Sequence, residues 1–294
     1  MKIKSLKRLP YKIILLLPFA SNLLLYIFNR AGFRLKKHLW DMVSTKPPIF
    51  FRRDAVVKTK VGDSFYLSPL RASSYDADWN LLFSIGHDVE IKNYYLQLIE
   101  NSKPSMFIDI GANYGLHSAI FAAHHIKVHS IEPNPECVSR IRYLNQINGF
   151  ENDVSQLALG SCEGSFCLRW PHGKTWLGEV VDCSQAQDES FSYSNVNVGI
   201  FDSLNLISSS ETLVKIDVEG FEVNVLQGAK RSIKKWKPKI VFESILTEDR
   251  SSLYDFFDNV GYEIQTLDLN RPSFLNTKED FINSRKKNFL ALSR

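Results

Sequence analysis

The chain has 294 residues, 44% of them hydrophobic and 23% charged, which is typical of a folded globular protein and excludes a disordered chain or a polytopic membrane protein. Its charge is uneven: residues 1–60 carry 14 Lys and Arg against two acids, a balance of +12, whereas the remainder carries 22 against 30, a balance of −8. Because the positive charge flanks an apolar segment instead of covering the folded domain, it favours an anionic membrane surface and disfavours nucleic acid as a partner.

The N-terminal segment, residues 1–37, contains the apolar run IILLLPFASNLLLYIF at residues 13–28, with basic residues on both sides. As a helix, these 16 residues reach about 24 Å, which is short of the roughly 30 Å hydrocarbon core of a bilayer. We therefore predict that the segment lies on the membrane instead of crossing it. The alternative is a helix that packs on the folded domain or on a second subunit, although the sequence specifies no oligomeric state. A signal peptide is disfavoured because no A-x-A cleavage site follows.

The main domain is predicted at residues 88–294. Residues 38–87, which precede it, are predicted to form a linker with short strands near Val56 to Leu67, because prolines interrupt any regular pattern there. The domain begins with a helix that Asp88 can cap and that extends to about Glu100.

From residue 106 onward, short apolar runs alternate with amphipathic stretches. The predicted strands are Met106–Ile110, Val128–Ile131, Val154–Leu159, Leu213–Val218, Lys239–Glu243, Tyr262–Leu267 and Phe289–Leu292. The predicted helices are Gly115–Ala123, Pro135–Asn148, Val223–Ile233 and Leu253–Asn259. This alternation predicts an α/β fold of the Rossmann-like kind, with a parallel sheet wound with helices.

Residues 162–210 interrupt the alternation and show no clear period. The region is rich in aromatic and polar side chains, including Trp170, His172, Trp176, Phe191 and Tyr193. We interpret it as a cover over a bound substrate, because aromatic rings with polar neighbours suit sugar faces, or alternatively as edge hairpins of the sheet.

The four cysteines are Cys137, Cys162, Cys167 and Cys183, and none of them forms a C-x-x-C pair. Their spacing matches neither a zinc site nor a dense disulfide framework. We therefore predict free thiols in a reducing cytosol, and with them a cytoplasmic protein.

A glycine loop joins the first predicted strand of the domain to a helix, in the sequence FIDIGANYG at residues 107–115. Gly111 and Gly115 allow the backbone to approach a ligand, and Asp109 can accept hydrogen bonds from an amine such as that of S-adenosylmethionine. A dinucleotide site needs glycines where this chain has Asn113 and Leu116, which disfavours NAD. A phosphate-binding P-loop is excluded because no Gly-Lys-Ser/Thr follows.

The second predicted strand ends in an acid, Glu132, 21 residues after Gly111. A carboxylate at that point can bind both hydroxyls of a ribose. Asn134, after Pro133, is predicted to cap the next helix, with Pro135 in its first turn. The cofactor-binding residues predicted in this way, together with those of the next strand that can line an adenine pocket, are Asp109, Gly111, Asn113, Tyr114, Gly115, Glu132, Pro133, Asn134, Gln156 and Ala158.

A second polar cluster, KIDVEGFE at residues 215–222, follows the strand predicted at Leu213–Val218. Together with GANYG, EPNP, FDSL at 201–204 and VFE at 241–243, it resembles the FkbM family of S-adenosylmethionine-dependent methyltransferases, over about residues 94–242. The resemblance implies a mainly parallel seven-stranded sheet with a reversed last hairpin and helices on both faces. It also implies O-methylation of hydroxyls on sugars or polyketide-type small molecules.

The cluster supplies the candidate catalytic residues. Asp217 is our first choice for the base that takes the proton of the acceptor hydroxyl, and Glu219 is the second. Lys215 lies two residues before Asp217, on the same strand face, where it can pair with the acid or contact the acceptor. His117 is an alternative base, or has a structural role at its helix start.

Other roles stay open for the same acids. Asp217 and Glu219 can hold Mg²⁺, although no complete ligand set is visible, so we predict no metal. Glu222 can cap its helix, and Glu243 is a weaker pocket candidate. The alternatives for the whole protein are N- or C-methylation on the same fold, and a non-catalytic S-adenosylmethionine-binding membrane scaffold.

Overall fold

The computed structural model describes residues 55–58, 64–67, 88–172, 177–185, 188–245, 249–267 and 272–294. They fall into two units. The first contributes an antiparallel hairpin of β1 (Ala55–Lys58) and β2 (Ser64–Leu67), where short strands were predicted. The second is the main domain from residue 88. The predicted N-terminal segment and Trp176 lie outside the described residues.

The main domain alternates strands and helices from its start. Its strands are β3 (Met106–Ile110), β4 (Lys127–Ile131), β5 (Asn152–Ser155), β6 (Ala158–Leu159), β7 (Gly164–Pro171), β8 (Glu179–Val181), β9 (Phe191–Gly199), β10 (Thr212–Ile216), β11 (Lys239–Glu243), β12 (Tyr262–Thr266) and β13 (Asn288–Ser293). Its helices are α1 (Val89–Asn101), α2 (Leu116–Ala123), α3 (Pro135–Asn148), α4 (Phe201–Leu204), α5 (Glu222–Gly228), α6 (Lys230–Trp236), α7 (Arg250–Asn259) and α8 (Lys278–Ile282).

Seven of these strands form one sheet in the order β12-β13-β11-β10-β3-β4-β5. The five strands from β11 to β5 are parallel to one another, whereas β13 is antiparallel to both β11 and β12. The predicted seven-stranded, mainly parallel sheet with a reversed last hairpin is therefore confirmed.

Helices cover both faces of this sheet. Every residue of the central strands β3 and β10 is buried, which requires cover on each side. On one face, Phe107 of β3 stacks on Phe121 of α2 with the ring centroids 4.0 Å apart, and Tyr95 of α1 packs edge-on against Phe121 at 4.7 Å. The other face carries the largest apolar cluster, in which Ile108 and Ile216 belong to the same core as side chains of α5, α6 and α7.

Several predicted elements have different limits in the structure, and three of these differences change the description of the fold or the site. The strand predicted at Val154–Leu159 is two strands, β5 in the large sheet and β6 outside it. The helix predicted at Val223–Ile233 is interrupted at Ala229, between α5 and α6. Strand β10 ends at Ile216, so that Asp217 and the residues after it form a loop at the edge of the sheet.

The region without a clear period forms a second sheet of four strands, in the order β6-β9-β7-β8. It is not an edge hairpin of the large sheet. Strands β7 and β9 pair antiparallel over eight residues each, from Gly164 opposite Val198 to Pro171 opposite Phe191. The core of this sheet is small, and its buried members are Ala158, Leu168, Val196 and Val198.

The prediction of four free thiols is wrong for one pair, because Cys167 and Cys183 form a disulfide. Cys167 lies on β7 opposite Val181 of β8, and the chain after β8 brings Cys183 back until the two Cα atoms are 4.9 Å apart. That separation suits a disulfide. The sequence spacing could not show it, because the pairing of β7 with β8 creates the proximity. Cys137 and Cys162 take part in no disulfide within the described part of the chain.

Candidate active site

The predicted polar residues meet at one edge of the large sheet. Strands β3, β4, β10 and β11 are parallel neighbours, so their carboxyl ends lie side by side. Ligands of open α/β sheets bind outside these carboxyl ends. The loops that follow the four strands therefore delimit the candidate site.

The glycine loop after β3 is tightly packed against the neighbouring strands. Gly111 has a φ of +74°, and a Cβ built there would lie 1.8 Å from the carbonyl oxygen of Asp217, which no other residue type can accommodate. The amides of Gly111 and Ala112 both donate to the carbonyl of Ile131 at the end of β4, at 3.0 and 3.2 Å. Glycine is therefore required at this position because the chain after β10 comes so close. From the sequence, we had attributed this requirement to the approach of a ligand.

Asp109 is fully buried near the end of β3. Its Oδ2 accepts a hydrogen bond from Ser118 Oγ at 2.7 Å, and its Oδ1 lies 3.9 Å from Lys215 Nζ. Among the described residues, Oδ1 has no hydrogen-bond partner. A buried carboxylate oxygen that lacks a donor favours a cationic or amine-bearing ligand group, so this position fits the amino-acid end of S-adenosylmethionine.

Glu132 links the glycine loop to the loop after β4. Its Oε2 accepts from the amide of Asn113 and its Oε1 from the amide of Asn134, both at 2.9 Å. Burial raises the pKa of Glu132 to about 7, although the two amide donors act in the opposite direction. The carboxyl group is therefore held in place at the carboxyl edge, as a ribose-binding acid must be. The predicted cap is also present, since Asn134 Oδ1 accepts from Glu136 N at 3.0 Å with Pro135 at the helix start.

The other predicted cofactor residues differ in their exposure. Tyr114 is buried, with the guanidinium of Arg140 5.2 Å from its ring centroid, and Pro133 is partly exposed. Gln156 is exposed just after β5, at the same edge as Glu132. Ala158 is buried in the apolar cluster of the second sheet, so its side chain belongs to that core instead of lining an open pocket.

Lys215 and Asp217 form a close ion pair at the end of β10. Lys215 is 3% exposed, and its Nζ donates to Asp217 Oδ2 at 2.9 Å. Burial alone would lower the pKa of Lys215, but the carboxylates of Asp217 and Asp109 outweigh it and raise that pKa. In turn, the lysine charge outweighs burial and lowers the pKa of Asp217. Both groups are therefore charged at neutral pH, and the predicted pairing of the two side chains is present.

The loop after β10 is shaped by Glu222. This residue is 2% exposed at the start of α5, and its Oε1 accepts from the amides of Val218 and Gly220 at 2.9 and 3.3 Å. Glu219, between them, is exposed and has a φ of +54°. Glu222 thus has the structural role that the sequence left open, and it leaves Glu219 at the surface of the loop.

His117 is buried between α1 and α2. Its Nε2 lies 3.3 Å from Asp88 Oδ2, and its ring packs edge-on against Tyr95 with centroids 5.8 Å apart. Burial lowers its pKa, and the charge of Lys215 lowers it further. These contacts favour the structural role for His117. Asp88 occupies the N-cap position of α1 but makes no side-chain capping bond, so that prediction is wrong: its carboxylate faces His117 instead.

Glu243, which the sequence indicated only as a weaker pocket candidate, lies directly beside Asp217. Because Ile216 pairs with Phe242, the next residues, Asp217 and Glu243, emerge side by side from β10 and β11. The two carboxyl groups therefore interact, and each changes the pKa of the other. Burial raises the pKa of Glu243 to about 9, with the Asp217 charge as the second cause. The signal that could have identified it is the adjacency of two parallel strands that both end in an acid.

No group of three or more His, Cys, Asp or Glu side chains in the described ranges is arranged to hold a metal ion. The same part of the chain has no helix that combines the length and the apolar character needed to cross a bilayer.

Comparison with known sequences gives one family. Residues 109–264 match the model of the methyltransferase FkbM domain, a range that contains both predicted clusters. No protein among the curated sequences matches the chain.

Several solved structures are similar. A methyltransferase FkbM from Methylobacillus flagellatus is 16% identical over 69% of this chain and 52% of its own, with a TM-score of 0.41. Precorrin-6y C5,15-methyltransferase from Geobacter metallireducens is 13% identical over 69% of this chain and 86% of its own, with a TM-score of 0.38. A methyltransferase from Agrobacterium tumefaciens is 8% identical over 81% and 69%, with a TM-score of 0.41. The chain thus spans about half of the length of the Methylobacillus protein.

Proposed function

The chain belongs to the FkbM family of methyltransferases, and we propose that it methylates a hydroxyl group of a sugar, a glycan or a lipid-linked small molecule. It is a methyltransferase whose cofactor is S-adenosylmethionine. The observation that carries the hydroxyl proposal is the Lys215–Asp217 ion pair, which holds a carboxylate at the carboxyl edge beside Asp109 of β3 and Glu132 after β4. A carboxylate in this position can remove a proton from an attacking hydroxyl.

The residues at the edge have separate roles in this proposal. Asp109 accepts from the amine of the cofactor through its Oδ1, and Glu132 binds the ribose hydroxyls once it is ionised. Gly111, Asn113 and Gly115 are proposed to shape the loop that lies between these two acids. Tyr114, Pro133 and Gln156 are proposed to complete the cofactor pocket.

When bound beside Asp109 and Glu132, S-adenosylmethionine would supply a methyl group on a positively charged sulfur, which is a good leaving group for transfer to the acceptor oxygen. The protein has to align the acceptor and take its proton. The hydroxyl becomes strongly acidic as its oxygen bonds to carbon, so a carboxylate of low pKa suffices as the acceptor of that proton. Asp217 is ionised because of Lys215 and can take this role. Glu219 is the second candidate, exposed on the same loop.

The second sheet is proposed to contact the acceptor. Tyr193 and Phe191 of β9 lie on the face with Arg169 of β7, opposite to the face that carries the small apolar core. The sheet also approaches the site loop, because a Cβ on Gly160 would lie 3.2 Å from the ring of Phe221. Partly exposed aromatic rings beside a guanidinium suit the face of a sugar.

The test uses isotopically labelled S-adenosylmethionine and a panel of nucleotide sugars, lipid-linked glycans and polyketides. We expect label transfer to one acceptor class, and a loss of about a hundredfold to ten-thousandfold in kcat for Asp217→Asn with S-adenosylhomocysteine binding retained. Asp153→Asn, which removes an exposed carboxylate on β5, is the matched control. Undiminished transfer by Asp217→Asn would contradict the assigned base.

We propose further that residues 1–37 bind anionic membrane surfaces and that the protein acts at the cytoplasmic side. The support is the basic charge around the apolar run. The cysteines no longer support the cytosol, since disulfides such as Cys167–Cys183 persist mainly in oxidising compartments, so the proposed location rests on the anionic lipids of the cytoplasmic leaflet alone. Sedimentation with anionic and neutral vesicles, for the full chain and for a chain that lacks residues 1–37, tests the membrane part. Equal sedimentation of both chains would contradict it.

A further inference from the structure

Two acidic side chains emerge from adjacent parallel strands at the candidate site. Asp217 follows β10 and Glu243 ends β11, and the pairing of Ile216 with Phe242 places them at the same level of the sheet edge. The register therefore brings the two carboxyl groups close enough to interact, and burial and the charge of Asp217 both raise the pKa of Glu243. Two carboxylates this close cannot both be ionised without a large electrostatic cost, so the pair holds one proton at neutral pH.

The neighbouring charges decide which carboxyl group carries that proton. Lys215 Nζ donates to Asp217 at 2.9 Å and stabilises its ionised form. Glu243 faces further negative charge, because Glu219 of the loop adds to the repulsion. Asp217, with the ammonium group beside it, is therefore the ionised member.

The remaining groups around the pair come from α1 and β13. Asn288 is paired with Glu243 across β11 and β13, and its Nδ2 donates to Glu90 Oε1 at 2.9 Å and contacts Asp88 Oδ1 at 3.5 Å. Asp88 also acts electrostatically on Asp217. Burial and Asp88 raise the pKa of Asp217, but the charge of Lys215 outweighs both effects and keeps the net pKa of Asp217 low.

We propose that Glu243 is a positioning residue that carries a proton in the resting enzyme, donates it in a hydrogen bond to Asp217, and so holds this carboxylate for the acceptor. This inference rests on the proposed function. Lys215 and Glu243 then both donate to Asp217, which fixes its orientation. When the acceptor hydroxyl releases its proton, Asp217 receives it while Glu243 keeps its own. The side chain of Asp217 is 27% exposed, which gives that proton a route to solvent after turnover.

The first test measures stability and needs no acceptor. Urea unfolding of the full chain is followed between pH 6 and pH 10 for the wild type, Glu243→Gln and the exposed control Glu211→Gln. Because Glu243 binds its proton more tightly in the folded protein, the stability that it contributes is complete below its unfolded pKa and is lost as the pH rises to about 9. Relative to Glu243→Gln, the unfolding constant of the wild type should rise on the order of a hundredfold to a thousandfold over this range. A ratio of wild-type to Glu243→Gln unfolding constants that does not change with pH would overturn the proposal.

The second test uses an acceptor identified in the panel. We expect wild-type kcat/KM to fall above about pH 9 as Glu243 ionises and ceases to donate, and this fall to be absent in Glu243→Gln, whose amide donates at every pH. Glu243→Leu, which has no donor, should lower kcat at least tenfold with unchanged binding of S-adenosylhomocysteine. Parallel pH profiles of the wild type and Glu243→Gln would refute the positioning role.

The two proposals can fail separately. If no acceptor in the panel is methylated but the unfolding constants diverge as expected, the hydroxyl proposal fails and the proton on Glu243 stands. If methylation occurs and the ratio of the two unfolding constants does not change with pH, the hydroxyl proposal stands and the proton on Glu243 is refuted.

Discussion

The two sheets of the main domain are stabilised in different ways. The central strands β3 and β10 of the large sheet are buried along their whole length, whereas the four-stranded sheet has four buried core residues and is closed by a disulfide. The proposed chemistry is confined to the edge of the large sheet. Buried strands hold the charged groups there, whereas the small sheet depends on its few core residues and its disulfide.

The largest effect is expected from the large sheet. Lys215→Met leaves Asp217 and Asp109 without their cation in a buried position, so we expect a loss of about 3–5 kcal/mol in the free energy of unfolding. Lys234→Met, which removes an exposed lysine on α6, is the control. The measurement is urea denaturation at pH 7. A loss below about 1 kcal/mol would mean that the pair is solvated and that the edge is less rigid than proposed.

A second variant tests the close approach of the strand ends. Gly111→Ala forces a left-handed φ on alanine and drives its Cβ into the carbonyl of Asp217, so we expect a loss of roughly 2–4 kcal/mol. Gly149 has a φ of +66° with nothing within 4 Å of its built Cβ, so Gly149→Ala should lose only about 1 kcal/mol. Equal losses in denaturation experiments would show that the approach to Asp217 is not the cause.

The same difference between the sheets explains what the sequence could predict. Buried parallel strands appear as apolar runs such as Met106–Ile110 and Lys239–Glu243, and both were predicted with the observed limits. Apart from Val196 and Val198, the residues of β9 are partly buried or exposed, so the run Phe191–Gly199 has no clear pattern, and the sheet that it forms was missed. The disulfide was missed for the same reason, since the pairing of β7 with β8 is not visible in the spacing of the cysteines.

At the site, contacts between residues close together in the sequence were easier to predict than contacts between different strands. The Lys215–Asp217 pair and the Asn134 cap follow from spacing along one element, and both are present. The Asp217–Glu243 contact depends on the order of strands in the sheet. Spacing along the chain cannot reveal an arrangement of that kind.

The disulfide provides the corresponding test of the small sheet. Cys167 and Cys183 are 16 residues apart, and the removal of a loop closure of this size costs about 3 kcal/mol. We expect the double variant Cys167→Ser, Cys183→Ser to lose hydrogen-exchange protection in β7, β8 and β9 alone, with Cys162→Ser as the control. Equal loss of protection in β3 and β10 would contradict the independence of the two sheets.

The smallest effect concerns pH at the cofactor site. Glu132 has a pKa of about 7 and binds ribose hydroxyls best when ionised, so the affinity for S-adenosylhomocysteine should rise about tenfold from pH 6 to pH 8. The same raised pKa makes the folding stability of the ligand-free protein change with pH in the opposite direction to the affinity. The stability that Glu132 contributes is complete at low pH and is lost as the pH approaches 7. Titration calorimetry of the wild type and Glu132→Gln checks this. If the affinity of Glu132→Gln for S-adenosylhomocysteine changes with pH in the same way, another group is responsible and the prediction is wrong.

The most direct measurement for the central claim is hydrogen exchange of the full chain with and without S-adenosylhomocysteine, with NAD as the comparison ligand. We expect S-adenosylhomocysteine to give new protection in residues 109–115, 131–134 and 217–221 and no change in β7 and β9, and we expect NAD to have no effect. Protection confined to the four-stranded sheet, or an equal response to NAD, would contradict a cofactor site at the carboxyl edge of the large sheet.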